Sequence, residues 1–235
     1  MISLSLRRFR STIMKYLRRP MHKAELELDY VVLGSSYGCW PVIPGLLNGE
    51  SAVVSVGIGE DISFDIALIE HLGCDVHAYD PTPRSQDWLL VQNLPTNFKF
   101  YPVGLSNTNG ILTFYAPAKK EYVSFTQNSS RASSEKINLP VKTLSTIAAD
   151  LRFSSINYLK IDIEGSEYDV IPDLIENGPL PNQLCIEFHH LMKGYSKSQT
   201  RLCVNKLREC GYKIFYVSSS GREYGFVNQS LVALE

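Results

Sequence analysis

The sequence predicts an α/β fold in which a mostly parallel β-sheet carries helices on both faces. From residue 51 onward, short β-branched runs alternate with segments whose apolar residues recur at helical spacing. The last two strand-like runs, 212–217 and 226–234, are separated by Ser-Ser-Ser-Gly, which predicts an antiparallel pair at the end of the chain. We therefore expect one α/β domain over residues 51–235, preceded by a basic N-terminal helix and lead-in over residues 1–50.

The individual elements follow from apolar runs and from the glycines, prolines and polar clusters that interrupt them. Strands are predicted over residues 52–56, 75–79, 98–103, 111–115, 158–163 and 184–188, in addition to the final pair. Helices are predicted between residue 62 and Gly73 and over residues 85–91, 143–151, 167–177 and 196–210. Residues 107–110 are predicted to form a turn between two strands, and the polar residues 116–136 to form a mobile loop.

Composition limits the kinds of protein that this chain can be. With 44% hydrophobic and 20% charged residues among 235, the chain can bury a substantial core. A net charge of -1 offers no electrostatic footprint for nucleic acid, so we expect no nucleic-acid partner. The five cysteines include no CxxC pair, which favours free thiols in a reducing compartment and hence a cytoplasmic location.

Basic residues surround a line of apolar residues near the N-terminus. Leu6, Phe9, Ile13 and Leu17 fall on one predicted helical face, with one lysine and five arginines around them. Such a helix can lie on an anionic membrane surface, so peripheral membrane contact is one expectation. The alternative is a solvated helix that packs on the domain. No run approaches the roughly 20 apolar residues that a membrane span requires.

A glycine loop and an acidic residue predict a cofactor site that holds adenosine. The first strand of the alternating pattern runs into Gly57 and Gly59, where the absence of a β-carbon lets backbone approach a ligand closely. Asp80 ends the second strand, 23 positions after Gly57, at the spacing where a carboxylate accepts hydrogen bonds from ribose hydroxyls. The alternative role for Asp80 is to cap the helix that follows Pro81.

The same loop departs from a dinucleotide-binding fingerprint. A third glycine would be required at the position of Ile62, and Glu60 and Asp61 would repel a pyrophosphate. These carboxylates are acceptable beside the cationic ammonium and sulfonium of S-adenosylmethionine. The charge of the loop therefore favours a methyl donor over NAD.

Four segments carry a family resemblance. The segments VVSVGIGEDISFD (53–65), VHAYDPTP (76–83), FYPVGLS (100–106) and LKIDIEGSEYDVI (159–171) resemble FkbM-type methyltransferases, and the resemblance covers roughly residues 30–235. It implies a class I methyltransferase Rossmann-like fold, with a mostly parallel seven-stranded sheet and an antiparallel C-terminal strand. It also implies binding of S-adenosylmethionine and O-methylation of a sugar, glycan or natural-product hydroxyl.

The resemblance assigns cofactor contacts by position. The loop from Gly57 to Asp61 would contact the methionine part, Asp80 the ribose, and Gly104 and Leu105 would lie near the adenine. Ser55 occupies the position at which many methyltransferases place an acid for the methionine ammonium, and Glu60 or Asp61 would compensate for the missing carboxylate.

Polar residues follow two further predicted strands and suggest a catalytic cluster. Asp162 and Glu164 lie at the end of the predicted strand 158–163, and Glu187 and His189 lie at the end of the predicted strand 184–188. Because ligands in open parallel sheets bind beyond the carboxyl ends of the strands, we expect these side chains to converge. The hypothesis is that His189 or Glu164 acts as general base, oriented by Asp162 and Glu187.

Alternative interpretations of this cluster stay open. Divalent metal dependence through Asp162, Glu164 and Glu187 is possible but is not the favoured interpretation. Glu164 or Glu167 could instead favour the N-terminus of the following helix, and His190 could be a surface residue.

The acceptor and the type of function are less constrained by the sequence. Tyr37, Trp40 and the loop 122–128 are candidate walls for a small-molecule or glycan acceptor. Two functions compete with an O-methyltransferase: a methyltransferase-like scaffold without turnover, and an NAD-linked oxidoreductase. The sequence contains nothing that predicts the oligomeric state.

Overall fold

The computed structural model describes residues 20–117 and 132–232. The strands are β1 Val31–Leu33, β2 Trp40–Val42, β3 Val53–Val56, β4 Val76–Tyr79, β5 Phe98–Tyr101, β6 Gly104–Leu105, β7 Gly110–Pro117, β8 Ala132–Lys142, β9 Tyr158–Ile161, β10 Gln183–Glu187, β11 Tyr212–Val217 and β12 Glu223–Asn228. The helices are α1 Ser63–Leu72, α2 Pro83–Leu89, α3 Leu144–Leu151, α4 Glu167–Asn177 and α5 Lys197–Glu209. The predicted basic N-terminal helix and the loop 122–128 lie outside the described residues.

The main sheet has seven strands in the order β11-β12-β10-β9-β3-β4-β5. The pairs from β10 through β5 are parallel, whereas β12 is antiparallel to both β10 and β11. This is the strand order of the class I methyltransferase fold, so the predicted seven-stranded sheet with an antiparallel C-terminal strand is confirmed. The predicted final pair is also present, but β12 inserts between β10 and β11 and is not the edge strand.

Helices cover both faces of this sheet, as predicted. Strand alternation places Val54 and Val56 in a core with α3, α4 and α5, while Val53 packs in a second core with α1 and α2. Tyr158 and Leu159 of β9 are divided between the two cores in the same way. Both faces are therefore buried, which explains why the central strands are apolar almost throughout.

Helix boundaries follow from local capping. The Thr82 side chain accepts a hydrogen bond from the Ser85 amide and Pro83 occupies the first turn, so α2 begins two residues before the predicted start. Thr143 caps α3 in the same way. Gly73 ends α1 in the left-handed conformation, with φ of 72°.

The predicted turn at 107–110 does not join two strands of one hairpin. Strand β5 lies in the main sheet, whereas β7 pairs antiparallel with β8 in a separate three-stranded sheet of order β6-β8-β7. Strand β8 begins at Ala132, so the end of the predicted mobile loop is strand. Residues 138–141 of β8 alternate between exposed and buried, with Leu139 and Val141 buried and Asn138 and Pro140 exposed. The first residues of this strand fall within the predicted loop because most of them are polar.

Part of the predicted lead-in packs into the second core. Strands β1 and β2 pair antiparallel, and Trp40, Val42 and Ile43 are buried. The Gln183 side chain of β10 accepts from the Ile43 amide at 2.8 Å and donates to the Ile43 carbonyl at 3.1 Å. The domain boundary at residue 51 stays a prediction. Within the described residues, no helix has both the length and the apolar character needed to cross a membrane.

Candidate active site

A cavity of about 370 Å³ opens at the carboxyl ends of the parallel strands. Apolar residues of its wall include Ile58, Pro81, Leu105 and Phe114. Five carboxylate residues also line it: Glu60, Asp61, Asp80, Asp162 and Glu164. Among the residues that the structure describes, no lysine or arginine lines it. The cavity therefore suits a ligand with an apolar part and a positive charge.

The glycine loop after β3 forms the centre of the cavity floor. Gly57 has φ of +77° and Gly59 has φ of +55°, the left-handed region that favours glycine. A β-carbon on Gly57 would overlap the backbone carbonyl of Asp162. Because β3 lies between β4 and β9, the loop separates Asp80 from Asp162 along the sheet edge.

Asp80 fixes the shape of this loop. One carboxylate oxygen accepts from the Gly59 amide at 3.0 Å, and the other accepts from the Thr82 amide at 2.9 Å and hydroxyl at 2.6 Å. Thr82, not Asp80, provides the side-chain cap of α2. An ionised carboxylate accepts up to about four hydrogen bonds, so Asp80 retains capacity for a ligand hydroxyl.

The two acidic loop residues have different partners. Glu60 forms a two-point ion pair with Arg84, at 2.8 Å and 3.2 Å. Asp61 accepts from the Ser35 hydroxyl at 2.6 Å and from the Ser63 amide at 2.8 Å. Burial alone would raise the pKa of Asp61, but these hydrogen bonds outweigh burial and lower it, so Asp61 remains ionised in the cavity wall.

Ser55 does not reach the cavity. It lies in the middle of β3, is fully buried, and faces α1, where Asp65 is also buried. Next to Ser55 on β9, Lys160 is 4% exposed, and its ammonium donates to the Gly57 carbonyl at 2.8 Å and lies 5.2 Å from the centre of the Trp40 ring. This buried cation therefore supports the glycine loop from below.

The four predicted catalytic side chains converge. His189 Nε2 lies 3.7 Å from Asp162 Oδ1, 3.6 Å from Glu164 Oε2 and 3.8 Å from Glu187 Oε1. Arg222 pairs with the same Glu187 oxygen at 2.7 Å. The adjacent ends of β9 and β10 bring these groups together, as the sequence predicts, while their individual catalytic roles stay predictions.

Glu167 holds the histidine from the opposite side and was not among the predicted site residues. Its carboxylate is fully buried at the start of α4, where it accepts from the Gly165 amide at 2.8 Å. It also accepts from the His189 amide at 2.8 Å and lies 3.1 Å from His189 Nδ1. Glu164 precedes it with φ of +53°, an uncommon conformation for a residue with a β-carbon.

The close approach and burial of these groups shift the pKa values of His189, Asp162 and Glu187. Burial alone would lower the pKa of His189, but the hydrogen bond to Glu167 and the charges of Glu167, Asp162 and Glu164 raise it to about 10. Burial raises the pKa of Asp162 and of Glu187. Because these carboxylates favour the protonated form of His189, a carboxylate is a better proton acceptor here than the imidazole.

The structure places four further residues, of which two are predicted walls of the acceptor site. Phe114 of β7 lines the cavity, although its strand lies outside the main sheet. Tyr37 also lines it and is 86% exposed, whereas the other proposed wall residue, Trp40, belongs to the core. His190 is buried and is not a surface residue, and its Nδ1 lies 3.4 Å from the Thr200 hydroxyl.

The chain resembles known proteins in structure and in sequence. Two solved structures that resemble this chain each share 10% sequence identity with it. One is a fibrillarin pre-rRNA processing protein from Methanococcus jannaschii (TM-score 0.46; 90% of this chain and 87% of that chain), and the other is a methyltransferase from Pyrococcus furiosus (TM-score 0.35; 95% and 98%). No curated protein gives a significant match. The family model of the methyltransferase FkbM domain matches residues 55–214, more than half of the chain, and the protein therefore belongs to the FkbM methyltransferase family.

Proposed function

We propose that the protein transfers a methyl group from S-adenosylmethionine to a hydroxyl oxygen of a small molecule or glycan. The observation that carries this proposal is the acidic lining of the cavity beside the glycine loop, with Asp80 and Asp162 on either side of the loop and no lysine or arginine among the described lining residues. A cationic ligand offsets this charge, whereas the pyrophosphate of NAD would add to it.

The order of strands supports one orientation of the cofactor. Neighbouring strands are about 4.8 Å apart, so the ends of β4 and β9 are separated by roughly 10 Å. Asp80 would accept from the ribose hydroxyls at one end of this span, and the Gly57 loop with Asp61 would hold the methionine part. Pro81, Leu105 and Phe114 offer an apolar surface for the adenine. When bound, S-adenosylmethionine supplies an electrophilic methyl group.

The cluster at the ends of β9 and β10 would receive the proton of the acceptor hydroxyl. Asp162 and Glu164 each expose 27% of their side chains and line the cavity, whereas His189 is 4% exposed. A raised pKa brings the Asp162 carboxylate closer to the range in which a general base operates at neutral pH. We assign proton acceptance to this pair of carboxylates, with His189 and Glu187 positioning them.

Tyr37 would contact the acceptor at the mouth of the cavity. Its ring is exposed, and shielding of the hydroxyl together with the charges of Asp162 and Glu164 raises the pKa of the phenol. The phenol therefore stays neutral and can donate a hydrogen bond. An exposed aromatic ring next to a hydroxyl-activating cluster suits the apolar face of a sugar.

Calorimetric titration of the purified protein with S-adenosylmethionine, S-adenosylhomocysteine and NAD⁺ tests the proposal. We expect the two sulfur compounds to bind, NAD⁺ not to bind, and Asp80→Ala to lose binding. Asp75→Ala is the matched control, because Asp75 is exposed at the opposite end of β4. Binding of the sulfur compounds then justifies a screen of sugars and natural products as acceptors. Failure of both to bind would favour a methyltransferase-like scaffold without turnover.

A further inference from the structure

The environment of His189 Nε2 differs from that of a hydrogen-bonded imidazole. Its three carboxylate neighbours lie at 3.6 Å, 3.7 Å and 3.8 Å, and no hydrogen bond joins this nitrogen to another described residue. An imidazolium paired with one carboxylate would lie about 2.7–3.2 Å from an oxygen. This polar atom is therefore directed into the group of carboxylates, on a side chain that is 4% exposed, without forming a direct bond to any of them.

These separations are slightly longer than those between ligands of a shared metal ion. With metal–ligand bonds of about 2.1 Å and angles of about 90–120°, two ligand atoms lie about 3.0–3.6 Å apart. One ligand atom from each of Asp162, Glu164 and His189 lies within 4.8 Å of the others. A small inward movement of the two partly exposed carboxylates would complete the coordination geometry.

The second nitrogen of the imidazole is already fixed. His189 Nδ1 lies 3.1 Å from Glu167 Oε1, and Glu167 is fully buried with a second oxygen bound to the Gly165 amide. Histidines that bind metal ions usually donate their other ring nitrogen to a carboxylate in this way. When a cation displaces the Nε2 proton, this hydrogen bond keeps the remaining proton on Nδ1 and leaves the Nε2 lone pair directed at the carboxylates.

We propose that Asp162, Glu164 and His189 form a site for a divalent first-row metal ion. Two carboxylates and one imidazole suit first-row ions that accept both oxygen and nitrogen ligands. Glu187 stays outside this set because its nearest oxygen is bound to Arg222 at 2.7 Å. Three protein ligands beside an open cavity leave coordination positions for water and for a hydroxyl.

The role of the ion rests on the proposed function, whereas the site itself rests on these contacts alone. An acceptor hydroxyl bound to the ion would have a lowered pKa and would release its proton to water or to the second carboxylate oxygen of Asp162 or Glu164, which the ion does not use. The oxygen would then be held next to the methyl-donor end of the cavity, where β9 ends.

Binding of Mn²⁺ alone to the chelator-treated full chain tests the site. We expect one bound ion per chain by electron paramagnetic resonance, with nitrogen modulation of the spin echo that reports an imidazole ligand. Asp162→Asn and Glu164→Gln should each weaken binding at least tenfold, and both are isosteric changes at partly exposed positions. His189→Gln should remove the nitrogen modulation. Asp150→Asn, an equal loss of charge at a surface ion pair with Lys142, should bind like the wild type.

The outcomes separate this proposal from the proposed function. Absence of Mn²⁺ binding, binding without nitrogen modulation, or binding that Glu164→Gln leaves unchanged would overturn the metal site. Calorimetry with S-adenosylhomocysteine on the same metal-free sample tests the cofactor independently. Cofactor binding without Mn²⁺ binding overturns only the metal site, and Mn²⁺ binding without cofactor binding overturns only the proposed function.

Discussion

Gly57 lies so close to Asp162 that a β-carbon on the glycine would overlap the aspartate carbonyl group. This contact joins the ends of β3 and β9, the two strands that carry the glycine loop and the acidic cluster. Backbone cannot yield as a flexible side chain can, so the contact requires glycine whatever ligand the cavity holds.

Gly57→Ala should therefore destabilise the protein and remove cofactor binding together. We expect a loss of more than about 3 kcal/mol in the free energy of unfolding, because backbone overlap adds to the cost of a left-handed residue. Gly59→Ala is the matched control, because Gly59 has φ of +55° but no atom within 4 Å of the added carbon. It should cost only about 1 kcal/mol. Equal losses for the two variants in chemical denaturation would contradict this explanation.

Phe114 should contribute aromatic contact to cofactor binding. Phe114→Leu retains an apolar side chain in the small core with Leu139 and Val141 but removes the ring. We expect the dissociation constant for S-adenosylhomocysteine to rise about three- to tenfold, the equivalent of about 1 kcal/mol of ring contact. Ile111→Ala, on the same strand and 72% exposed, should leave the constant unchanged in calorimetry. A constant unaffected by Phe114→Leu would place the adenine elsewhere.

Glu167 should act as a positioning residue for turnover and not for cofactor affinity. The Glu167 carboxylate accepts hydrogen bonds from the backbone amides of Gly165 and His189. In Glu167→Gln, the side-chain NH₂ group would face one of these two N–H donors, and that hydrogen bond would be lost. We expect turnover with an identified acceptor to fall about 10- to 100-fold, as loss of a charged hydrogen bond worth about 1.5–3 kcal/mol implies.

Two measurements distinguish positioning by Glu167 from general loss of structure. The dissociation constant for S-adenosylhomocysteine should stay within about twofold of the wild type, because the cofactor would lie on the other side of Asp162. The nitrogen chemical shifts of the His189 ring should change. Glu176→Gln, an exposed change on the same helix, should alter neither turnover nor ring shifts. Equal losses in turnover and cofactor affinity would contradict the positioning role.

The sequence was sufficient to predict the central sheet because its strands are apolar runs bounded by glycines and acids. Gly57, Asp80 and Asp162 follow strands directly, so strand order alone brings them to one edge. Phe114 and Glu167 could not be predicted in the same way. Phe114 reaches the cavity through a separate sheet, and Glu167 is indistinguishable in sequence from an acid that stabilises a helix N-terminus.

Ser55 shows the limit of inference by position. The family pattern places an acid at this point of the chain, but the Ser55 side chain faces α1 and is fully buried. Asp65 of α1 is also buried on that side, and it does not line the cavity. Period-two alternation determines the face of a strand residue, and a motif position does not override it.

His77 should make stability depend on pH, independently of the active site. Its ring is half-buried on β4, stacked on Tyr101 and in edge contact with Phe153, and Nδ1 lies 3.0 Å from the Tyr101 hydroxyl. Burial lowers the pKa of His77 below its ordinary value. The folded protein therefore binds this proton less tightly than the unfolded chain does, whose histidines titrate near about 6.5.

The sign of the effect follows from this difference. The contribution of His77 to stability is complete above about pH 6.5 and is lost as the pH falls through the lowered pKa, at no more than about 1.4 kcal/mol per pH unit. His77→Phe retains the ring contacts but removes the titration, so its free energy of unfolding should fall less than that of the wild type between about pH 7 and pH 5. His71→Phe, at an exposed position, should follow the wild-type curve in urea denaturation. If the free energy of unfolding of the wild type and of His77→Phe fell equally with pH, the folded protein would bind the His77 proton as tightly as the unfolded chain does, which would contradict the prediction.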